Sequence, residues 1–280
     1  MYVGVCCDCR NFKHYPSKYL PQMNVKNVIS YLMFLFAAFL IVGGIGQDTN
    51  GIYYPRIGTE VIDVSNSNIT KSFGNLPDAR FFPLGGLLGS SPIICGGSDK
   101  SCISFRESQW TQTHTTTIRG ASASVQVNAT TIWILGGYGD TTEFIGIDSS
   151  VGIPGPKLPI SIYYTCAVKF SEDQIFVIGG ESWEDDCEYS QSCWNKVFIF
   201  NPLNGFTHIE GPSLKIGRRS HSCGLMSNAA QHKKIVVAGG FGYSNPHDYT
   251  PKLSSVEIFY PYVNKDWVTG KNYTVFKIQV

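Results

Sequence analysis

One phrase occurs four times in this chain. An apolar run ends in two glycines at Ile93-Ile94-Cys95-Gly96-Gly97, Ile132-Trp133-Ile134-Leu135-Gly136-Gly137, Ile175-Phe176-Val177-Ile178-Gly179-Gly180 and Ile235-Val236-Val237-Ala238-Gly239-Gly240. The second glycines are 40, 43 and 60 residues apart. Strand-like units recurring at roughly 40–50 residues are the mark of a propeller array. Consecutive Ile, Val, Phe and Trp suit a strand covered on both faces. The glycines that follow allow positive φ and close approach by a neighbouring backbone.

The same grammar surrounds each phrase. A small-residue strand precedes it, as in Arg119-Gly120-Ala121-Ser122-Ala123-Ser124-Val125 or Arg219-Ser220-His221-Ser222-Cys223. A polar loop of variable length follows, and then an alternating strand such as Val197-Phe198-Ile199-Phe200-Asn201-Pro202 or Val256-Glu257-Ile258-Phe259-Tyr260-Pro261. A short outer strand closes the unit, marked by Trp110 in the first and Trp267 in the fourth. These strands are labelled A, B, C and D. The second unit has no Trp in its D region, and the third has Phe206 there.

The double glycines, the two Pro-terminated C strands and the Trp one strand later resemble the kelch repeat over residues 57 to 270. The resemblance implies an all-β, kelch-type β-propeller with one four-stranded meander per blade. Four units fall at 79–116, 118–160, 162–213 and 217–270. Residues 57–76 supply a C strand, Thr59 to Ser65, and a D strand, Lys71 to Pro77, and read as a partial blade. Residues 47–56 read as a linker, so the propeller spans 57–280.

No residue from Val28 to Gly46 is charged. Nineteen such residues can just span a bilayer as a helix. The stretch 28–46 is therefore expected to be an N-terminal hydrophobic helix after an extension at 1–27. It is either a signal peptide read from Met23 or an uncleaved signal-anchor with a basic cytoplasmic flank. Leu40-Ile41-Val42-Gly43-Gly44 imitates the repeat phrase, but lies in an apolar run too long for one strand. Either reading places the propeller outside the cytosol, secreted or single-pass anchored. The membrane would be met only through this segment. A net charge of +1 gives no argument for nucleic acid.

Six of the nine cysteines follow residue 46, an even number that agrees with export. Cys95 and Cys102 flank the first B–C loop, and Cys187 and Cys193 lie within the third, so each pair is expected to close locally. Cys166 and Cys223 hold corresponding places in neighbouring A strands and form a third candidate pair, with two buried thiols as the alternative. Asn68, Asn128 and Asn272 each begin an Asn-x-Thr sequon, a glycosylation acceptor in an exported chain.

In an antiparallel meander the D–A and B–C loops share one face. The third and fourth B–C loops are long and carry Trp183, Tyr189, Trp194, Tyr243, His247 and Tyr249. Aromatic loops on a rigid scaffold make a contact surface for a protein or glycan ligand. Arginine recurs where the A strands begin, at Arg80, Arg119, Arg218 and Arg219. In kelch propellers that bind acidic peptides such arginines line the mouth, so the resemblance implies an anion-reading role. Hydrogen bonding to carbonyls or a neighbouring carboxylate is the structural alternative. The acidic residues of the third loop match no calcium-loop spacing, and no zinc, phosphate-loop or nucleophile-elbow motif is present, so no metal, cofactor or catalytic residue is expected. The expected function is a non-catalytic, extracytoplasmic binding module. An exported copper radical oxidase of the galactose oxidase type and a cytosolic kelch adaptor are the alternatives.

Overall fold

The structure is a computed structural model. It describes residues 4–5, 31–35, 38–42, 45–47, 53–55, 57–63, 69–71, 74–80, 82–97, 100–117, 120–137, 139–182, 194–227, 233–242, 252–263 and 266–270. Strand β1 (Gly4–Val5) comes first in the chain. The first sheet has the order β2 (Tyr31–Leu35), β3 (Ala38–Val42), β6 (Thr59–Asp63), β7 (Ile69–Lys71), with the small ladder β4 (Ile45–Gln47) and β5 (Tyr53–Pro55) between its second and third strands. Three further four-stranded meanders follow. They are β8 (Leu84–Leu88), β9 (Ser91–Cys95), β10 (Ser101–Arg106) and β11 (Gln109–Thr115); β12 (Ala123–Asn128), β13 (Thr131–Leu135), β14 (Thr142–Gly146) and β15 (Ile153–Pro154); and β16 (Cys166–Ser171), β17 (Gln174–Ile178), β18 (Val197–Asn201) and β19 (Thr207–Glu210). The last blade opens with β20 (Arg218–Arg219). Its sheet uses β21 (Ser222–Ser227), β22 (Lys233–Ala238), β24 (Val256–Phe259) and β25 (Val268–Thr269), while β23 (Phe241–Gly242) pairs with β20.

Among the described residues this is a β-propeller of five blades, four of them four-stranded and the last extended to five strands by β1. The repeated phrases are the second strands of blades two to five, as the sequence implied. Neighbouring first strands touch in succession around the ring, and β1 pairs with β21 of the last blade while contacting β2 of the first. The core lies between blades. Val42, Leu76, Leu87, Ile94, Ile103 and Trp110 join blades one and two, and Trp133, Leu135, Ile175, Val177 and Phe200 join three and four. Outer-strand rings complete these layers: Trp267 stacks on Phe259 at 5.2 Å, and Phe206 meets Trp133 at 4.9 Å, filling the place left without a Trp.

Three expectations are corrected. Residues 31–42 are not helical: β2 and β3 pair from Tyr31↔Val42 to Leu35↔Ala38. Two apolar strands separated by two residues produce the same uncharged run as a spanning helix, so length alone misleads. Leu40-Ile41-Val42-Gly43-Gly44 is thus the phrase of a complete first blade, where a partial one was expected. Val42 is fully buried and faces Thr59 of β6 in register. The linker 47–56 likewise contributes strand β5. Among the described residues no helix is long and apolar enough to cross a membrane.

The glycine pairs act at the seams. Gly137 donates its N–H to the Ile162 carbonyl of the next blade at 2.9 Å, and Gly180 donates to that of Arg218 at 2.8 Å. Gly136 has φ +69°, and a Cβ there would stand 2.3 Å from the Ile162 oxygen. Gly136→Ala is expected to destabilise the fold by about 2 kcal/mol or more, combining left-handed strain with a carbonyl clash. Gly146→Ala, where nothing lies within 4 Å of the added Cβ, should change stability by no more than about 0.5 kcal/mol. Urea unfolding of the two variants measures the contrast.

Two of the expected disulfides are present. Cys95 and Cys102 face each other across β9 and β10 with Cα atoms 4.0 Å apart. Cys166–Cys223 joins β16 to β21, the first strands of blades four and five, at a Cα separation of 6.0 Å. Cys187 and Cys193 lie outside the described residues. A chain-entropy estimate gives about 4 kcal/mol for the inter-blade bridge and about 2 kcal/mol for the local one. Paired Cys→Ser variants should lower the denaturation midpoint in that order.

Candidate functional site: the face of the long B–C loops

Equivalent residues follow from the strand registers. Residues 84, 123, 166 and 222 each pair with the residue just before a glycine pair. Counting back four positions places Arg80, Arg119, Ile162 and Arg218 at one site of the repeat. Arg80 is fully buried. Its Nη1 donates to the carbonyls of Gly96 and Ser101 at 2.8 and 2.9 Å, and its Nη2 to Ser101 Oγ at 2.5 Å. Arg218 repeats the pattern one for one, with Gly239 O at 2.9 Å, Ser255 O at 3.2 Å and Ser255 Oγ at 3.1 Å. It also pairs with Glu257 Oε1 at 2.7 Å. Burial pulls the Arg218 pKa down, and Glu257 opposes that pull. These two arginines fasten the end of strand B to the start of strand C within their own blade. They are not offered to a ligand, which corrects the anion-reading expectation for both. Arg119 lies outside the described residues.

Glu257 has a second task. Its carboxylate accepts from the N–H groups of Lys215 and Ile216 at 2.7 and 3.2 Å, in the connection from blade four. Glu143, at the same place in blade three, accepts from the Thr117 N–H at 2.8 Å and from the Thr116 and Thr117 hydroxyls. The sequence reading overlooked these buried acids. The signal was the recurring Glu at the second residue of the C strand in Thr59-Glu60, Thr142-Glu143 and Val256-Glu257.

Two residues beyond the arginine site blades two to five each turn left-handed without glycine: Phe82, Ala121, Tyr164 and Ser220 have φ of 54°, 65°, 53° and 51°. Such strain persists only where surroundings enforce it. Here a backbone ladder does so, Tyr164 N–H donating to Ala121 O at 2.8 Å and Ser220 N–H to Tyr164 O at 3.0 Å. The rings of Phe82 and Tyr164, from blades two and four, meet edge-on at 5.8 Å across blade three. Together with Ala121 and Tyr163 these two rings form a small, largely aromatic floor.

Arg219 lies beside this floor and differs from its neighbour. Its guanidinium stands over the rings of Tyr164, Trp194 and Phe241 at 5.4, 5.7 and 5.5 Å, and its Nε is 3.2 Å from Glu181 Oε2. Glu181 and Trp194 bracket the third B–C loop, the first of the two long ones, and Phe241 opens the fourth. Of the expected contact residues, Arg219 and Trp194 are thus brought together, and the roots of both long loops converge on them. Trp183, Tyr189, Tyr243, His247 and Tyr249 lie outside the described residues. Among the described residues no group of His, Cys, Asp and Glu could hold a metal ion.

The solved structure titled "Structure of YjhT" has a similar fold, with a TM-score of 0.62 and 13% identity over 86% of this chain and 83% of that one. At that identity the likeness concerns fold alone. In all, 384 solved chains match, and a fold by itself does not settle a function. No family model and no curated protein matches the chain.

His221 follows this cluster and is fully buried, its ring set against Gly179 of the preceding blade. Burial, reinforced by the Arg218 charge, pushes its pKa down to about 3. The carbonyls of Ile178 and Arg218 favour protonation weakly, but neither ring nitrogen makes a well-formed hydrogen bond. The fold thus holds the neutral ring, whereas the unfolded chain takes up a proton below its ordinary value of 6.5. Stability is complete above that value and is lost as pH falls toward 3, about 2 kcal/mol of it between pH 7 and 5. His221→Ser, which copies Ser122 of blade three, should reduce the loss measured by urea unfolding at the two pH values.

Proposed function

We propose that the chain is a kelch-type propeller acting as a non-catalytic, extracytoplasmic module that binds a protein or glycan on the face of its long B–C loops. The observation that carries this reading is the Arg219 cluster. A guanidinium clamped by Glu181 and three aromatic rings gives two long loops one rigid base, which lowers the ordering cost of binding. The cross-strand and inter-blade disulfides support an oxidising compartment. The pairing of β2 with β3 supports a secreted propeller over one held by that segment as an anchor.

The test is a screen of the purified chain on a glycan array and a library of cell-surface ectodomains, with copper content measured on the same sample. A specific ligand is expected whose affinity falls at least tenfold in Arg219→Ala and is unchanged in Tyr262→Ser on the opposite face, with both variants melting cooperatively. Stoichiometric copper with oxidase activity would replace this reading with the radical oxidase. Free thiols at Cys95, Cys102, Cys166 and Cys223 in protein alkylated directly from cells would return it to the cytosol.

A further inference from the structure

We propose that Asn128 carries an N-linked glycan, which covers the face opposite the B–C loops; the proposal rests on the export reading above. Of the three sequons, Asn128-Ala129-Thr130 is the one whose acceptor asparagine lies among the described residues. It forms the turn between β12 and β13, and all three residues are exposed. Asn128 Oδ1 accepts twice, from the Thr130 N–H at 2.9 Å and from the Thr130 hydroxyl at 3.1 Å. Its Nδ2 makes no hydrogen bond among the described residues and stands in solvent.

The turn is also held in place. Gly89 of blade two donates to the Ala129 carbonyl at 2.8 Å, and Ile147 donates to that of Thr130 at 2.9 Å. The finished fold therefore has room for a glycan at this turn, whose three residues all lie at the surface. The chemistry is transfer from a lipid-linked oligosaccharyl pyrophosphate. Nδ2 bonds to the anomeric carbon, the carbon–oxygen bond to pyrophosphate breaks, the lipid pyrophosphate leaves with the electron pair, and Nδ2 loses a proton.

The location gives the modification a consequence. Ile147 and Val151, 38% and 58% exposed, lie at the C–D corner of the same blade. A glycan anchored one turn away screens that apolar corner and leaves the B–C face as the open one.

The test is expression of the full chain in cultured animal cells in two forms, one with its own N-terminus and one behind an unrelated signal sequence. In both, a mobility shift is expected that peptide N-glycosidase removes with conversion of Asn128 to Asp. The Asn128 glycan should be absent in Asn128→Gln and Thr130→Ala and retained in Thr130→Ser. An unmodified Asn128 in the signal-directed, disulfide-bonded protein overturns the site. Modification there but not with the native N-terminus overturns the proposal through the compartment, leaving the acceptor geometry intact.

Discussion

The ring depends on one contact, a backbone N–H of one blade donated to a backbone carbonyl of the next. Gly137 reaches Ile162 in this way and Gly180 reaches Arg218. Two main chains from different sheets come this close only where no Cβ intervenes, so the joint requires glycine. It also requires positive φ, and both residues of every described pair have it. The left-handed Tyr164 and Ser220 extend the seam inward with a second run of bonds. Left-handed strain of roughly 1–2 kcal/mol per residue is offset because the alternative is buried peptide groups without partners.

Charge inside the blades follows the same logic. A buried arginine is tolerable where carbonyls and a hydroxyl receive its donors, and Arg80 meets that condition with Ile103 at the position of Glu257. Where a carboxylate is added, at Glu257, it also collects two N–H groups from the neighbouring blade. Blade four has neither group: Ile162 replaces the arginine and Phe198 the glutamate. An arginine can stand there without the acid, as Arg80 does, but a carboxylate left without the arginine would be a buried charge short of donors, which costs more than no charge at all. With Ile162 in place of the arginine, the acid's position is taken by Phe198, which packs into the layer between blades three and four.

The repeat was legible because its cause is local. Glycine pairs and apolar strands declare themselves in composition, and matching the two first strands brought Cys166 and Cys223 within one register step of each other. The first blade was not legible, since helix length and the summed length of two adjacent strands are the same quantity in a one-dimensional hydropathy profile. Recognising Leu40-Ile41-Val42-Gly43-Gly44 as a fifth phrase required giving pattern precedence over length. The arginines were found as a set but assigned one role, because nothing in a sequence states how many carbonyls will converge on a side chain.

Arg218 and Arg219 show why that matters. Successive residues of a strand point to opposite sides, so in β20 one guanidinium enters the blade while the other turns toward the loops. Arg219 corresponds to Tyr163 of blade four, whose backbone bridges to Glu181 as that of Arg219 pairs with Phe241. Apart from Trp194, the cage around Arg219 is thus built from repeat positions: an aromatic where the ring turns left-handed, and the first residue after each glycine pair. What distinguishes blades four and five is that these positions hold Tyr164, Glu181 and Phe241, able together to surround a cation. A propeller of equivalent blades acquires a unique place on its rim by such substitutions at the seam, where two blades contribute to one site and the longest loops begin.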